Sequence, residues 1–330
     1  MKHGWLLLCC GVLLAGVFGC GRKASAPDRV TIAVIPKGTT HEFWKSVHAG
    51  AVKASRELDV EVIWKGPLKE DDREAQIAEV ENFIGRGVSG IVLAPLDDVA
   101  LRQPVASAVA NGIPVVIIDS GLKSEQYVSF VATDNRQGGR MAGEHLGTLL
   151  GGKGRVVMLR YQEGSASTMN REQGFLDGIG AQPGIEVVSA NQYGGATTES
   201  AYRASENLLA PYKKADGKLS IDGVFCPNES TTFGMLRALQ DAKLAGTVRF
   251  VGFDSSEKLV AALRASEIDG LVLQNPMRMG YLGVKTMVSH LAGTPVEKRI
   301  DTGVVLVTPS NMNEPEIQIL LSPDFDAWLK

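Results

Sequence analysis

The sequence predicts an α/β protein of two lobes, each a parallel sheet covered by helices on both faces. Three observations lead there. From Val30 onward, short β-branched runs alternate with longer amphipathic stretches. The runs are continuously apolar, as strands buried on both faces are. At 330 residues the chain exceeds what a single core usually serves.

The predicted strands of the first half are Val30–Pro36, Val60–Trp64, Gly90–Ala94, Pro114–Ile118 and Val128–Ala132. Helical stretches include Phe43–Leu58, Arg73–Arg86 and Arg136–Leu150. The glycine-rich turn Gly151-Gly152-Lys153-Gly154 punctuates the chain. Further strands are predicted at Arg155–Leu159, Ile185–Ser189, Gly223–Cys226, Val248–Phe253 and Gly270–Leu273. Helices are predicted at Arg171–Ile179, Thr197–Leu209, Ser230–Ala242 and Met277–Leu291.

The N-terminus reads as an export signal over residues 1–19. Lys2 and His3 precede the apolar run Gly4–Gly19, which is short of the roughly 20 residues a membrane helix needs. The run closes on Val17-Phe18-Gly19-Cys20, similar to the cleavage box at which bacterial lipoproteins are lipidated. Residues 20–27 then form a polar, lipidated linker. Of the four cysteines, only Cys226 lies beyond Cys20. No disulfide framework or metal-type pair is expected, and Cys226, in the run GVFC, is expected in the core.

Net charge is −3. There is no basic excess to neutralise a phosphate backbone, so nucleic acid is not an expected partner. No GxSxG, P-loop or HExxH motif is present. The histidines are scattered, and no carboxylate pair stands out by its spacing. No catalytic residue, cofactor or metal is predicted.

In open α/β sheets, ligands bind beyond the carboxyl ends of the strands. Lys37, Asp119, Asn228, Asp254 and Gln274 each follow a predicted strand. Arg171 opens a predicted helix, and Phe43 and Trp44 follow the first strand. Planar amide, carboxylate and guanidinium groups each engage two adjacent hydroxyls, and aromatic rings cover CH faces. The inventory therefore suits a polyhydroxy ligand. Two cations, Lys37 and Arg171, balance two anions, Asp119 and Asp254, which favours a neutral sugar. Each residue also has a plainer explanation. Asp254-Ser-Ser-Glu257 fits a helix capping box and Asn228 fits an N-cap. Lys37 and Asp119 fit ordinary loop positions, Arg171 a solvated helix charge, and Phe43 with Trp44 the core. Their recurrence at corresponding strand ends is what favours a site.

The motifs TIAVIP…FW, GIVLAP, GIPVVIID, ATDNRQGG, NREQGF, FCPNES, RFVGFD and LVLQNP, from about Val30 to about Thr308, carry a resemblance to the periplasmic ribose-binding proteins. That sugar-binding family shares its lobes with the ligand domains of LacI-type repressors. The resemblance implies a type I periplasmic binding protein of two Rossmann-like lobes joined by a three-crossing hinge. The lobes would comprise residues 28–134 plus 275–302 and residues 135–274 plus 303–308, followed by a C-terminal extension, 309–330. Implied ligand contacts are Lys37, His41, Phe43, Trp44 and Asp119, with Arg171, Asn228, Asp254 and Gln274 from the second lobe and hinge. Ser120, also an expected ligand contact, stands where a ribose binder has Arg, and Lys37 and His41 replace a small hydroxyl residue and Asn. Ile35-Pro36-Lys37 also resembles binding proteins for the furanose-like quorum signal autoinducer-2. The family implies a monomer that captures a sugar and presents it to an ABC-type permease, with a chemoreceptor or sensor kinase as further possible partners. Membrane contact would be through the Cys20 lipid alone. A repressor reading fails because an export signal stands where a helix-turn-helix should be.

Overall fold

In the computed structural model, Met1 and residues 29–330 are described. The expected export signal, Cys20 and the linker lie outside the described residues. Among these, no helix is long and apolar enough to cross a membrane.

The first sheet contains β1 (Thr31–Ile35), β2 (Glu61–Trp64), β3 (Gly90–Leu93), β4 (Val115–Ile118) and β5 (Ser129–Ala132). The second contains β6 (Lys153–Arg160), β7 (Gly184–Tyr193), β8 (Gly223–Phe225), β9 (Arg249–Phe253) and β10 (Gly270–Gln274). The late strands β11 (Arg299–Asp301) and β12 (Val304–Val307) are divided between them. The orders are β11-β5-β4-β3-β1-β2 and β12-β10-β9-β8-β6-β7. All pairings are parallel except β12, which runs antiparallel to β10. That one strand departs from the all-parallel expectation, because it is the return of the chain rather than part of a βαβ unit.

Helices α1 (Glu42–Leu58), α2 (Arg73–Arg86) and α3 (Arg102–Ala110) accompany the first sheet. Past β5, α4 (Asn135–Leu149) and α5 (Ala166–Gly180) belong with the second sheet, as do α6 (Thr198–Leu209), α7 (Glu229–Asp241) and α8 (Glu257–Arg264). Past β10 the chain returns, and α9 (Pro276–Leu291) packs on β3, β4 and β5. It crosses once more between β11 and β12. The crossings are tied together: the Thr133 and Thr302 hydroxyls are 3.1 Å apart, and Thr133 also donates to the Gly303 carbonyl.

Apolar strand residues point to both faces of each sheet. Val34, Val92 and Ile118 pack under α1 and α9, while Ile35, Leu93 and Ile117 pack under α2 and α3. Cys226 is fully buried in the second core, and burial pushes its thiol pKa well up. Two helix pairs touch backbone to backbone. A Cβ on Gly50 would lie 1.9 Å from the Met277 carbonyl oxygen, and one on Gly280 2.0 Å from that of Val47. Likewise a Cβ on Gly139 would lie 1.9 Å from the Arg171 oxygen, and one on Gly174 2.0 Å from that of Arg136. No residue but glycine fits such contacts without displacing a helix.

The tail forms α10 (Pro315–Leu321) and α11 (Asp326–Leu329). Ile317 and Leu321 enter the second core. Arg56 on α1 donates to the carbonyls of Ala327 and Trp328. The tail thus contacts both halves.

Candidate functional site

The carboxyl ends of the two sheets face each other. In both sheets the strand order reverses beside the first strand, β1 or β6, which is where α/β sheets leave a crevice. Lys37 and Asp119 follow β1 and β4. Their charged atoms are 2.8 Å apart, and each residue is 3% exposed. Neither is an ordinary loop residue. Lys37 Nζ also donates to the hydroxyls of Ser165 (3.3 Å) and Ser167 (3.0 Å) across the cleft. Ser120 is fully buried, and its hydroxyl accepts the Ser167 N–H at 3.0 Å.

A second cluster surrounds Glu70, from the loop between β2 and α2. Glu70 Oε1 accepts from His41 Nδ1 at 2.6 Å and Trp44 Nε1 at 2.7 Å. Its Oε2 accepts from the Tyr161 hydroxyl, across the cleft, at 2.7 Å. Burial alone would raise the Glu70 pKa, but His41, Lys37 and the Trp44 N–H hold it down at about 2. Burial alone would lower that of His41. Glu70, with Glu229 and Asp254, brings it instead up to about 9.

In the second half, Arg171 is 2% exposed, not a solvated charge. Nor does it open a helix: α5 begins at Ala166, so Arg171 lies within it. Its Nε donates to Asn135 Oδ1 at 2.7 Å and one terminal nitrogen to the Pro227 carbonyl at 3.0 Å. The same nitrogen lies 3.4 Å from Asp254 Oδ2, and the guanidinium covers the Phe253 ring. Asp254 Oδ1 accepts from Gln274 Nε2 at 2.8 Å. The capping explanation for Asp254 fails, because Ser256 caps α8 while Asp254 turns its carboxylate toward Arg171 and Gln274. Asp119 and Asp254 have φ of 60° and 65°, a conformation that costs on the order of 1–3 kcal/mol where side chains must hold it. Asn228 does cap α7, accepting from the Thr231 N–H. Glu229, next in sequence, accepts from the N–H groups of Phe43 (3.2 Å) and Glu42 (3.4 Å) at the start of α1. Burial pushes its pKa up to about 7, against the pull of His41 and those two N–H groups.

Most of these groups line one tight cavity between the two sheets. From the predicted set it brings together Lys37, His41, Phe43, Trp44 and Asp119 with Arg171, Asn228, Asp254 and Gln274. Ser120 is not on its wall; it serves the contact with Ser167. Phe43 and Trp44 belong both to the wall and to the core. Sequence reasoning missed Glu70, Tyr161, Ser167, Thr168 and Glu229. Of these only Tyr161 had a signal, since it lies two residues past a predicted strand end and directly follows the observed β6. Two buried acceptors, Asp119 Oδ2 and Gln274 Oε1, have no hydrogen-bond partner. The Lys37 ammonium reaches Asp119 at ion-pair distance but is not aligned as a hydrogen bond. Among the described residues, no group of three or more His, Cys, Asp or Glu side chains is placed to hold a metal ion.

Two α/β halves meeting over a buried polar cavity, with three chain crossings beside it, define a two-lobed small-ligand binding protein. The chain belongs to the periplasmic binding protein domain family, which it matches over residues 32–295. It is 28% identical to the ribose import binding protein of Haemophilus influenzae over 89% of this chain and 97% of that one. It is 30% identical to a D-ribose/D-allose-binding protein of Pseudomonas aeruginosa, over 86% and 91% of the two chains. A carbohydrate transporter solute-binding protein of Agrobacterium radiobacter, solved with D-arabinose, superposes with a TM-score of 0.85 at 36% identity. That match covers 90% of this chain and all of the other.

Proposed function

We propose that the protein binds a neutral monosaccharide, or a closely related polyhydroxy ligand, in the cavity and delivers it unchanged to an ABC-type importer. The observation that carries this reading is the buried acceptor Gln274 Oε1, left without a partner on the wall of a cavity whose donors are Lys37, His41 and Arg171. A buried acceptor left unpaired costs about 1–3 kcal/mol. A ligand hydroxyl can donate to that atom while accepting from the cavity's cations. The carboxylates of Asp119, Asp254 and Glu70 disfavour a sugar acid or phosphate. The named relatives are a ribose import binding protein, a D-ribose/D-allose-binding protein and a solute-binding protein solved with D-arabinose, which agrees with a monosaccharide ligand.

The binding reading also rests on what the cavity residues are engaged in. Its imidazole and carboxylates are held in ion pairs and hydrogen bonds, and the Ser167 hydroxyl accepts from the Lys37 ammonium, which Asp119 keeps paired. A membrane tether through a lipid on Cys20 would keep the protein beside its permease on the periplasmic side. Cys20→Ser should then move the protein from the detergent to the aqueous phase; unchanged partitioning would place the anchor elsewhere.

The first test is a thermal-shift screen of monosaccharides, polyols and sugar acids. A ligand at 100 times its Kd adds about 2.7 kcal/mol to native stability. Stabilisation by neutral sugars is expected. Stabilisation by anionic ligands alone, or by the quorum signal alone, would contradict the assignment.

A further inference from the structure

Glu70 lies in Lys69-Glu70-Asp71-Asp72-Arg73, a run that reads as solvated charge, yet it is 6% exposed and carries three short contacts. Both its oxygens are used by protein donors, so it has little left to offer a ligand. Its partners, in contrast, all line the cavity: His41 and Trp44 from one half and Tyr161 from the other.

We propose that Glu70 is a positioning residue of the binding cleft, gripping the His41 imidazole by Nδ1 so that Nε2 faces the ligand as a fixed N–H donor. The inference rests on the sugar-binding reading of the cavity. With a carboxylate on Nδ1, the ring has two accessible states. Neutral, it keeps its proton on Nδ1 and presents a bare Nε2, an acceptor. Protonated, it donates from both nitrogens. The groups facing His41 decide between them. Glu70 touches it from the β2–α2 loop, Glu229 faces it from the start of α7, and Asp254 from the end of β9. The cations Lys37 and Arg171 share the cavity, but each has a carboxylate of its own, Asp119 and Asp254. The anions prevail, and the imidazolium persists to about 9. His41 therefore demands an oxygen acceptor on the ligand at neutral pH, whereas Gln274 Oε1 demands a donor. Glu70 also fixes the Trp44 ring through Nε1, and its bond to Tyr161 forms across the cleft.

The test has two arms. In the first, the histidine ring nitrogens of ligand-free protein are titrated by NMR, with the His41 signal assigned by its loss in His41→Asn. Wild-type His41 should keep both ring protons through pH 8. In the nearly isosteric Glu70→Gln it should deprotonate at least about one pH unit lower, the size of effect an adjacent opposite charge exerts. An unchanged titration overturns the proposal, and this arm does not depend on any sugar binding. The second arm uses D-ribose and D-arabinose as calorimetric probes. At pH 8, Glu70→Gln should weaken binding about 10- to 100-fold, as expected for losing a charged hydrogen bond, and less at pH 6. In a His41→Asn background the same substitution should lose most of its effect. Equal losses in both backgrounds and at both pH values would mean that Glu70 acts only on structure, and would overturn the assignment. If neither probe binds, the sugar reading is in question, while the titration still decides the role of Glu70.

Discussion

The Glu229 carboxylate lies 3.2 Å from the amide nitrogen of Phe43, joining the start of α7 on one half of the molecule to the start of α1 on the other. A helix N-terminus favours an anion. Burial opposes it, and the balance leaves the Glu229 pKa near 7, above its ordinary 4.5. Opening the cleft would return the group toward its ordinary value. Proton binding is thus tighter in the closed form. The contribution of Glu229 to closure is complete below about 4.5 and is lost as pH rises through about 7. Small-angle scattering of ligand-free protein should show a larger radius of gyration at pH 8 than at pH 5. Glu229→Gln should remove most of that difference. His41 acts in the same direction at higher pH, its contribution being lost as pH rises from 6.5 through about 9.

Asp119 and Asp254 each neutralise a buried cation, Lys37 and Arg171 respectively. Asp119→Ala and Asp254→Ala should each cost about 2–4 kcal/mol of ligand binding, or on the order of 30- to 1,000-fold in affinity. Both should also lower thermal stability, because an unpaired charge remains in a water-poor site. Calorimetric titration beside thermal unfolding separates the two effects. Glu206→Ala, on the exposed face of α6, should alter neither. Wild-type affinity in Asp119→Ala would mean that the ligand sits elsewhere.

Gly139 on α4 meets the backbone of Arg171 on α5, so the helix contact sets where the guanidinium stands. Gly139→Ala should force the helices apart, at a cost of about 1–3 kcal/mol in stability. Affinity should fall with it, although residue 139 is not among those lining the cavity. Gly151→Ala provides a contrast. A Cβ there meets nothing within 4 Å, but φ is +63°, so it should lower stability through backbone strain and leave affinity unchanged. Equal affinities for both variants would contradict the positional role of the α4–α5 contact.

Much of this was legible in the sequence because periodicity locates strand ends, and strand ends locate ligands in parallel sheets. Asp119, Asn228, Asp254 and Gln274 were found in that way. Arg171 was found, but its helix starts at Ala166, so it reaches the cavity from within a helix and not from its end. Tyr161 was missed because its strand runs to Arg160, one residue beyond the predicted end at Leu159. Glu70 and Glu229 had no local signal. One sits in a charged run and the other in the first turn of a capped helix, where an acid is unremarkable. Only tertiary contact buries them, and a linear pattern carries no record of that. The antiparallel return strand β12 likewise depends on where the chain last crosses between the sheets.

The most direct test of the account is calorimetric titration of the purified protein with D-ribose, D-arabinose, D-allose, D-fucose and a sugar acid, each ligand being recovered and analysed afterwards. At least one neutral sugar should bind with micromolar or tighter affinity, about −8 kcal/mol or better. This sugar should be recovered unchanged, and the acid should bind more weakly. Binding of the sugar acid alone, or conversion of a bound sugar, would contradict the account.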